Sequence, residues 1–98
     1  MQENFQLLQN FPNPFNPSTT IEFSITNSVE TLHATSLQHV TLTIYDILGN
    51  EIATLLNEEK SPGIYKIKFN ATALASGNYI YQIKAGSYIH SRKMILLK

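Results

Sequence analysis

Apolar and polar side chains alternate in several separate stretches of this 98-residue sequence. In the first such stretch, Ile21, Phe23 and Ile25 are separated by single polar residues. Successive side chains of a β-strand point to opposite faces of the sheet, so a period of two predicts a strand with one buried face. The same alternation predicts strands at residues 40–45, 65–69 and 79–84.

Three more strands are predicted at residues 5–11, 51–56 and 90–97, where the alternation is less regular. Turn residues separate the strands. Asp46 to Asn50 predicts a hairpin in which Gly49 can adopt a left-handed conformation. Pro62-Gly63 suits a type II turn, and Ala85-Gly86-Ser87 predicts a second hairpin. Seven short strands with almost no helical periodicity indicate an all-β fold, an antiparallel β-sandwich.

Two segments interrupt the alternation. Residues 12–18 contain Pro12, Pro14 and Pro17, which remove backbone donors and exclude a central strand. Residues 26–38 form a connection that is long for a hairpin. Within it, Asn27 could cap one helical turn that places Val29 and Leu32 inward. These two segments are the least regular parts of the predicted sandwich.

Size and composition predict a single domain that spans residues 1–98. The seven basic and seven acidic residues balance, so no nucleic-acid partner is indicated. No apolar run approaches the roughly 18 residues of a membrane-spanning helix. Met1 to Asn10 lacks the basic and apolar regions of a signal peptide, so we expect an exported protein to carry its signal on a longer parent chain.

No catalytic, metal-binding or cofactor-binding site is predicted. The chain has no cysteine, and His33, His39 and His90 lie on three different segments without ligand spacing. Adjacent Glu58 and Glu59 precede a turn and indicate a solvated loop rather than paired catalytic carboxylates. No serine lies in a nucleophile elbow. We therefore expect a protein that is not an enzyme and has no small-molecule substrate.

Two short motifs predict structural roles. Asp46-Ile47-Leu48-Gly49 matches the D-x-x-G pattern of nucleotide-binding proteins, but no phosphate-binding loop accompanies it. The favoured interpretation is that the Asp46 carboxylate accepts hydrogen bonds from turn amides. Residues 74–79 read Leu-Ala-Ser-Gly-Asn-Tyr, which resembles the tyrosine corner of immunoglobulin-like sandwiches. This resemblance predicts that the Tyr79 ring is buried and that its hydroxyl bonds to upstream backbone.

Four segments in order resemble a known family over nearly the whole chain, from about residue 5 to residue 98. They are the proline-rich run 10–21, the Ile-Tyr-Asp-Ile-Leu-Gly run 44–49, the corner 74–79, and the ending 92–98. Together they are similar to the type A C-terminal sorting domain of the type IX (Por) secretion system. The resemblance implies an immunoglobulin-like antiparallel β-sandwich of about seven strands. Its structural motif residues would be Pro12, Pro14, Phe15, Asp46, Gly49, Gly77 and Tyr79.

The resemblance also implies a function. The chain would be the non-catalytic C-terminal part of a larger secreted protein of a Gram-negative bacterium. It would direct that protein from the periplasm across the outer membrane, to be secreted or held at the cell surface. The implied partners are an outer-membrane translocon and a sortase-like peptidase that cleaves upstream of the domain. The connection 26–38 is longer than in the family, which leaves the start of the strand before Val40 open.

The ending is the predicted recognition segment, with Lys93, Met94, Ile95, Leu96, Leu97 and Lys98 as its residues. One interpretation buries Met94 and Leu96 in the core and covers Ile95 and Leu97 with a loop. The other leaves Ile95 and Leu97 partly exposed, as a docking row that the translocon reads by side-chain contact or strand addition. An open edge strand would also allow a weak homodimer.

Two alternative functions have sequence support. The proline-rich run followed by Ile-Tyr-Asp-x-x-Gly is also similar to the immunoglobulin-like module of flagellar hook-capping proteins. A structural, adhesive or carbohydrate-binding accessory module of a surface enzyme is the other alternative. The absence of tryptophan counts against sugar binding, because aromatic stacking platforms commonly use this residue.

Overall fold

The computed structural model describes residues 4–26 and 38–98, which form seven β-strands and no helix within those ranges. The strands are β1 (Asn4–Leu7), β2 (Ser18–Thr26), β3 (Gln38–Asp46), β4 (Glu51–Lys60), β5 (Gly63–Asn70), β6 (Gly77–Ala85) and β7 (Tyr88–Leu96). The helical turn predicted near Asn27 to Leu32 lies outside the described residues, as does His33.

The strands form two antiparallel sheets that pack face to face. The smaller sheet has the order β1-β2-β5, and the larger has the order β4-β3-β6-β7. Every pairing of neighbouring strands is antiparallel. The predicted all-β sandwich of seven strands is therefore confirmed.

The core lies between the sheets and follows the alternation of the sequence. The central strands each give one apolar face to the core, because side chains at every second position of a strand point inward. The largest fully buried apolar side chains are those of Phe15, Ile21, Phe23, Val40, Leu42, Ile44, Tyr81, Ile83, Met94 and Leu96. Tyr65 and Ile67 of β5 are only partly buried, since β5 lies at the open edge of the smaller sheet.

Three local predictions are wrong. Strand β1 ends at Leu7, and Phe11 makes only an isolated bridge with Thr20. Glu58 and Glu59 lie inside β4, not in a loop. The turn at Gly63 is not type II, because Gly63 has a φ of 159° where that turn requires about 80°.

The strand connections lie at two opposite ends of the sandwich. One end, called the motif pole below, consists of residues 12–17, the β3–β4 hairpin 46–50, the β5–β6 connection 71–76 and the chain after Met94. The hydrogen bond from the Ala71 N–H to the Pro17 carbonyl joins two of these segments. Strand ends Thr26 and Gln38, which flank the long connection, lie at the opposite end. Every motif that carried the family resemblance thus lies at or next to one pole.

Candidate recognition surface

The tail strand β7 has one buried and one outward-facing row of side chains. Met94 and Leu96 are fully buried, as the first interpretation of the ending predicted. On the outward row, Lys93 is exposed and Ile95 is half-buried. Leu97, which follows the strand, is 55% exposed. Lys93 and Leu97 are therefore open to solvent, and Ile95 is partly covered.

The proline-rich segment runs beside the end of β7 and is held there by backbone bonds. The Phe15 N–H donates to the Ile95 carbonyl at 2.9 Å, and the Leu97 N–H donates to the Phe15 carbonyl at 2.9 Å. The Asn13 side-chain oxygen accepts from the Ile95 N–H at 2.9 Å. The Phe15 ring is buried against Phe69. These contacts cover the edge of β7 at its end, where an added strand would otherwise pair.

The last residue, Lys98, is tied to the β5–β6 connection. Its ammonium donates to the Thr72 carbonyl at 2.5 Å and to the Leu74 carbonyl at 2.7 Å. Its backbone N–H donates to the Ser76 hydroxyl at 2.9 Å. Lys93 makes no such bond with the residues that the structure describes. The two lysines of the ending therefore differ, because one fastens the tail and the other extends into solvent.

The tyrosine corner predicted at Tyr79 is present. The ring is buried, and its hydroxyl donates to the Ala75 carbonyl at 2.7 Å, four residues upstream. Gly77, between them, has a φ of 155°, a backbone conformation that other residues rarely adopt. The corner positions Ser76 beside the tail, so its geometry also supports the contacts of Lys98.

The hairpin that begins at Asp46 is closed by that carboxylate. One carboxylate oxygen accepts from the N–H groups of Leu48 and Asn50, each at 2.9 Å, and the other accepts from the Asn50 side-chain amide. These bonds, with the Asn50 N–H first among them, hold the pKa of the Asp46 carboxyl below its usual 3.8. Gly49 has a φ of 91°, which the turn requires. The predicted turn role of Asp46 is confirmed.

A buried polar cluster fixes the start of the proline-rich segment, and the sequence analysis missed it. The Tyr81 hydroxyl accepts from the Asn10 N–H at 2.8 Å and donates to the Leu8 carbonyl at 2.7 Å. The Asn10 side-chain amide donates to the Thr19 hydroxyl at 3.0 Å, and that hydroxyl donates to the Pro12 carbonyl. The only signal in the sequence was the presence of Asn10 and Thr19 at either end of the proline run.

The described residues contain no cluster that could hold a metal ion. Within residues 4–26 and 38–98, no three His, Asp or Glu side chains converge. His39 bonds instead to the Asn57 side chain, and His90 stacks on Tyr88. A search of the same residues for a helix long and apolar enough to cross a membrane found none.

Comparison with known families gives a match that covers most of the chain. The model of the secretion system C-terminal sorting domain matches residues 9–97. Comparison with individually described proteins gave no significant match. The family match includes the proline-rich segment, the Asp46 hairpin, the Tyr79 corner and the tail as far as Leu97, which are the elements gathered at the motif pole. The chain thus belongs to the C-terminal sorting domains of the Por, or type IX, secretion system, non-catalytic signals that the type IX machinery recognises for secretion across the bacterial outer membrane to the cell surface.

Proposed function

We propose that the tail is the part of the domain that the outer-membrane translocon reads, and that its six residues divide into two sets. Lys93, Ile95 and Leu97 form the row that contacts the translocon. Met94, Leu96 and Lys98 hold that row in position, the first two by burial and Lys98 by its bonds to loop carbonyls. The observation that carries this proposal is the alternation of buried and outward-facing side chains along a tail fastened at its end.

The backbone groups at the edge of β7 indicate how the translocon contacts the tail. Strand addition needs free N–H and C=O groups along an edge. Near the end of β7, Phe15 already pairs with the backbone of Ile95 and Leu97. We therefore favour recognition through side chains: an apolar contact at Ile95 and Leu97 with a cation, Lys93, beside it.

We also propose that the domain, residues 1–98, is the C-terminal part of a larger secreted protein. After translocation, a sortase-like peptidase removes the domain by cleavage upstream of the sandwich and can attach the cargo to surface lipopolysaccharide. The support is the family, which consists of sorting domains at the C-terminal end. Detection of the cargo without the domain in the surface fraction, by mass spectrometry of its new C-terminus, tests this proposal.

The test of tail recognition uses a reporter fused ahead of the domain in a type IX-competent host. Lys93→Gln should leave folding intact, because an exposed charge contributes only about 0–1 kcal/mol to stability. It should lower the fraction of reporter at the cell surface. The fraction of folded domain and the fraction exported are measured together, by limited proteolysis and by surface labelling.

Lys98→Gln is the matched comparison, because it removes the same charge from the same segment. It should lower the denaturant midpoint of the isolated domain, since the Thr72 and Leu74 carbonyls lose their ammonium partner. Its export defect should then follow its loss of folding. If Lys93→Gln folds and is exported like the parent, the tail row is not read and β7 has a structural role alone.

A weak homodimer through an edge strand is proposed as a second association. The candidate edge is β4, which among the described strands pairs with β3 alone. Glu58, Glu59 and Lys60 lie on this strand, and charges on an edge oppose tight pairing. We expect sedimentation velocity to detect dimer only at high protein concentration. A monomer across the whole accessible concentration range would contradict this.

A further inference from the structure

The β3–β4 hairpin presents two large aliphatic side chains to solvent at its tip. Ile47 is 65% exposed and Leu48 is 82% exposed. Tight turns favour Gly, Asn, Asp and Ser, each for a backbone reason that Ile and Leu do not share. Both side chains remain mostly exposed in the folded domain. The fold itself therefore does not account for an Ile-Leu pair at this position.

The tip is held in one conformation. Three hydrogen bonds from the turn converge on the Asp46 carboxylate, and the Gly49 N–H donates to the Asp46 carbonyl at 3.1 Å. The Asp46 N–H closes the hairpin by donating to the Asn50 carbonyl at 3.0 Å. A rigid apolar projection loses little conformational entropy on binding, which favours association.

The tip borders an open depression of about 490 Å³ on the outer face of the larger sheet. Tyr45 and Ile80, which are cross-strand partners, form its floor beside Ile47 and Leu48. Tyr45, Ile47, Leu48 and Ile80 are called the hairpin patch below. Ile80 is also the cross-strand partner of Lys93 on β7. The hairpin patch is therefore continuous with the outward row of the tail.

The charges on the β7 side of the hairpin patch favour an acidic partner. Lys93 adjoins Ile80, and Lys84 lies farther along the same outer face of β6. On the other side, the Asp46 and Glu51 carboxylates flank Tyr45 and keep their negative charges while they accept hydrogen bonds within the domain. The side next to β7 therefore offers the exposed Lys93 ammonium beside an apolar surface, which complements an apolar pocket with carboxylates near that side.

We propose that the hairpin patch is a second contact for the same protein receptor that reads the tail. That receptor would accept Ile47 and Leu48 in an apolar pocket and place carboxylates near Lys93. The inference rests on the proposed function of the tail. It adds a recognition element nearly fifty residues before the tail in sequence, brought beside it by the pairing of β3, β6 and β7.

The test measures binding of the labelled, folded domain to outer-membrane fragments from a type IX-competent strain, against fragments from an isogenic strain without the system. The double substitution Ile47→Ser with Leu48→Ser should weaken specific binding about tenfold or more. The matched control is Ile64→Ser with Ile89→Ser, which removes two exposed aliphatic side chains at the opposite end of the sandwich. The control should bind like the parent, and both variants should keep the parent's unfolding midpoint.

The outcomes separate the two proposals. If Lys93→Gln weakens binding but the hairpin variant binds like the parent, the hairpin inference is overturned and the tail proposal stands. If the hairpin variant is defective and Lys93→Gln is normal, the tail proposal fails, and with it the inference that the hairpin patch shares a receptor with the tail. Binding of the parent should also weaken as the sodium chloride concentration is raised, because salt screens the attraction between Lys93 and the receptor carboxylates. An affinity that does not change with salt overturns the proposal that the receptor places carboxylates near Lys93. If the hairpin substitutions abolish self-association in sedimentation velocity and leave membrane binding unchanged, the patch contacts a second copy and the inference is overturned.

Discussion

Replacing Tyr81 with phenylalanine is expected to lower the free energy of unfolding by about 2–3 kcal/mol, because it leaves the buried Asn10 N–H without its acceptor and the Leu8 carbonyl without its donor. The Tyr81 hydroxyl bonds to both the Asn10 N–H and the Leu8 carbonyl. Asn10 is buried, so water cannot readily replace the lost acceptor. Urea denaturation of the parent and of Tyr81→Phe measures the difference.

Tyr79→Phe is the matched control, made two residues away on the same buried face of β6. The Tyr79 hydroxyl makes one bond, to the Ala75 carbonyl in a partly exposed loop, so its loss should cost only about 1 kcal/mol. Tyr79→Ala should cost about 3–5 kcal/mol, since it also empties a buried ring position. Equal effects of the two phenylalanine substitutions would contradict the role given to Tyr81 in fixing the proline-rich segment.

The difference in stability between the parent and Tyr81→Phe should also change at high pH. Burial raises the pKa of the Tyr81 phenol above its usual 10.0. A group whose pKa is raised in the folded state stabilises the fold fully below its unfolded pKa and loses that contribution as pH rises through the folded value. The stability advantage of the parent over Tyr81→Phe should therefore narrow above about pH 10, in urea titrations repeated across that range.

The sequence predicted the hydrogen bond of the Tyr79 hydroxyl but not the two bonds of the Tyr81 hydroxyl, and the reason is physical. The bond of Tyr79 is local, and the glycine-containing corner upstream indicates it. The partners of Tyr81 lie more than seventy residues away, across the interface between the sheets. Alternation assigns Tyr81 to the core face but says nothing about which backbone groups its hydroxyl meets.

Strand β4 is a second case in which alternation predicted the element but not its extent. The predicted strand stopped at Leu56, whereas β4 continues to Lys60. Its register against β3 shifts between Leu42 and Thr43 and again between Ile44 and Tyr45. Both shifts lie opposite residues 51–56, where the strict period of two is lost, whereas residues 57–60 pair with β3 without a shift. Those last residues resemble a loop because they are polar or charged, although they lie on an edge strand.

The tail illustrates what a motif can and cannot predict. The ending predicted a buried apolar row, and Met94 and Leu96 are fully buried. It did not distinguish Lys93 from Lys98, because both are lysines beside apolar residues. Only the three-dimensional position of the Thr72 and Leu74 carbonyls gives Lys98 a fastening role. The ending therefore combines a lysine that fastens the tail with one whose side chain extends into solvent.

Phe15→Ala is expected to destabilise the domain by about 3–5 kcal/mol, the cost of removing a buried aromatic ring. The ring is buried against Phe69, and the Phe15 backbone pairs with the tail. Its loss should therefore loosen the tail as well as the core. We expect the Leu97 amide, which donates to the Phe15 carbonyl, to lose hydrogen-exchange protection to a greater extent than amides in the centre of β3.

Phe11→Ala is the control, because it removes the same side chain from the start of the same segment. Phe11 is 79% exposed, so its replacement should change the free energy of unfolding by no more than about 0.5 kcal/mol and leave the Leu97 amide protected. Urea denaturation with hydrogen exchange measures both quantities in each variant. If the two variants unfold at the same midpoint, Phe15 does not anchor the core. If Phe15→Ala is destabilised but Leu97 exchanges as in the parent, the Phe15 ring is not needed to hold the tail, since the backbone bonds at Phe15 would then survive without it.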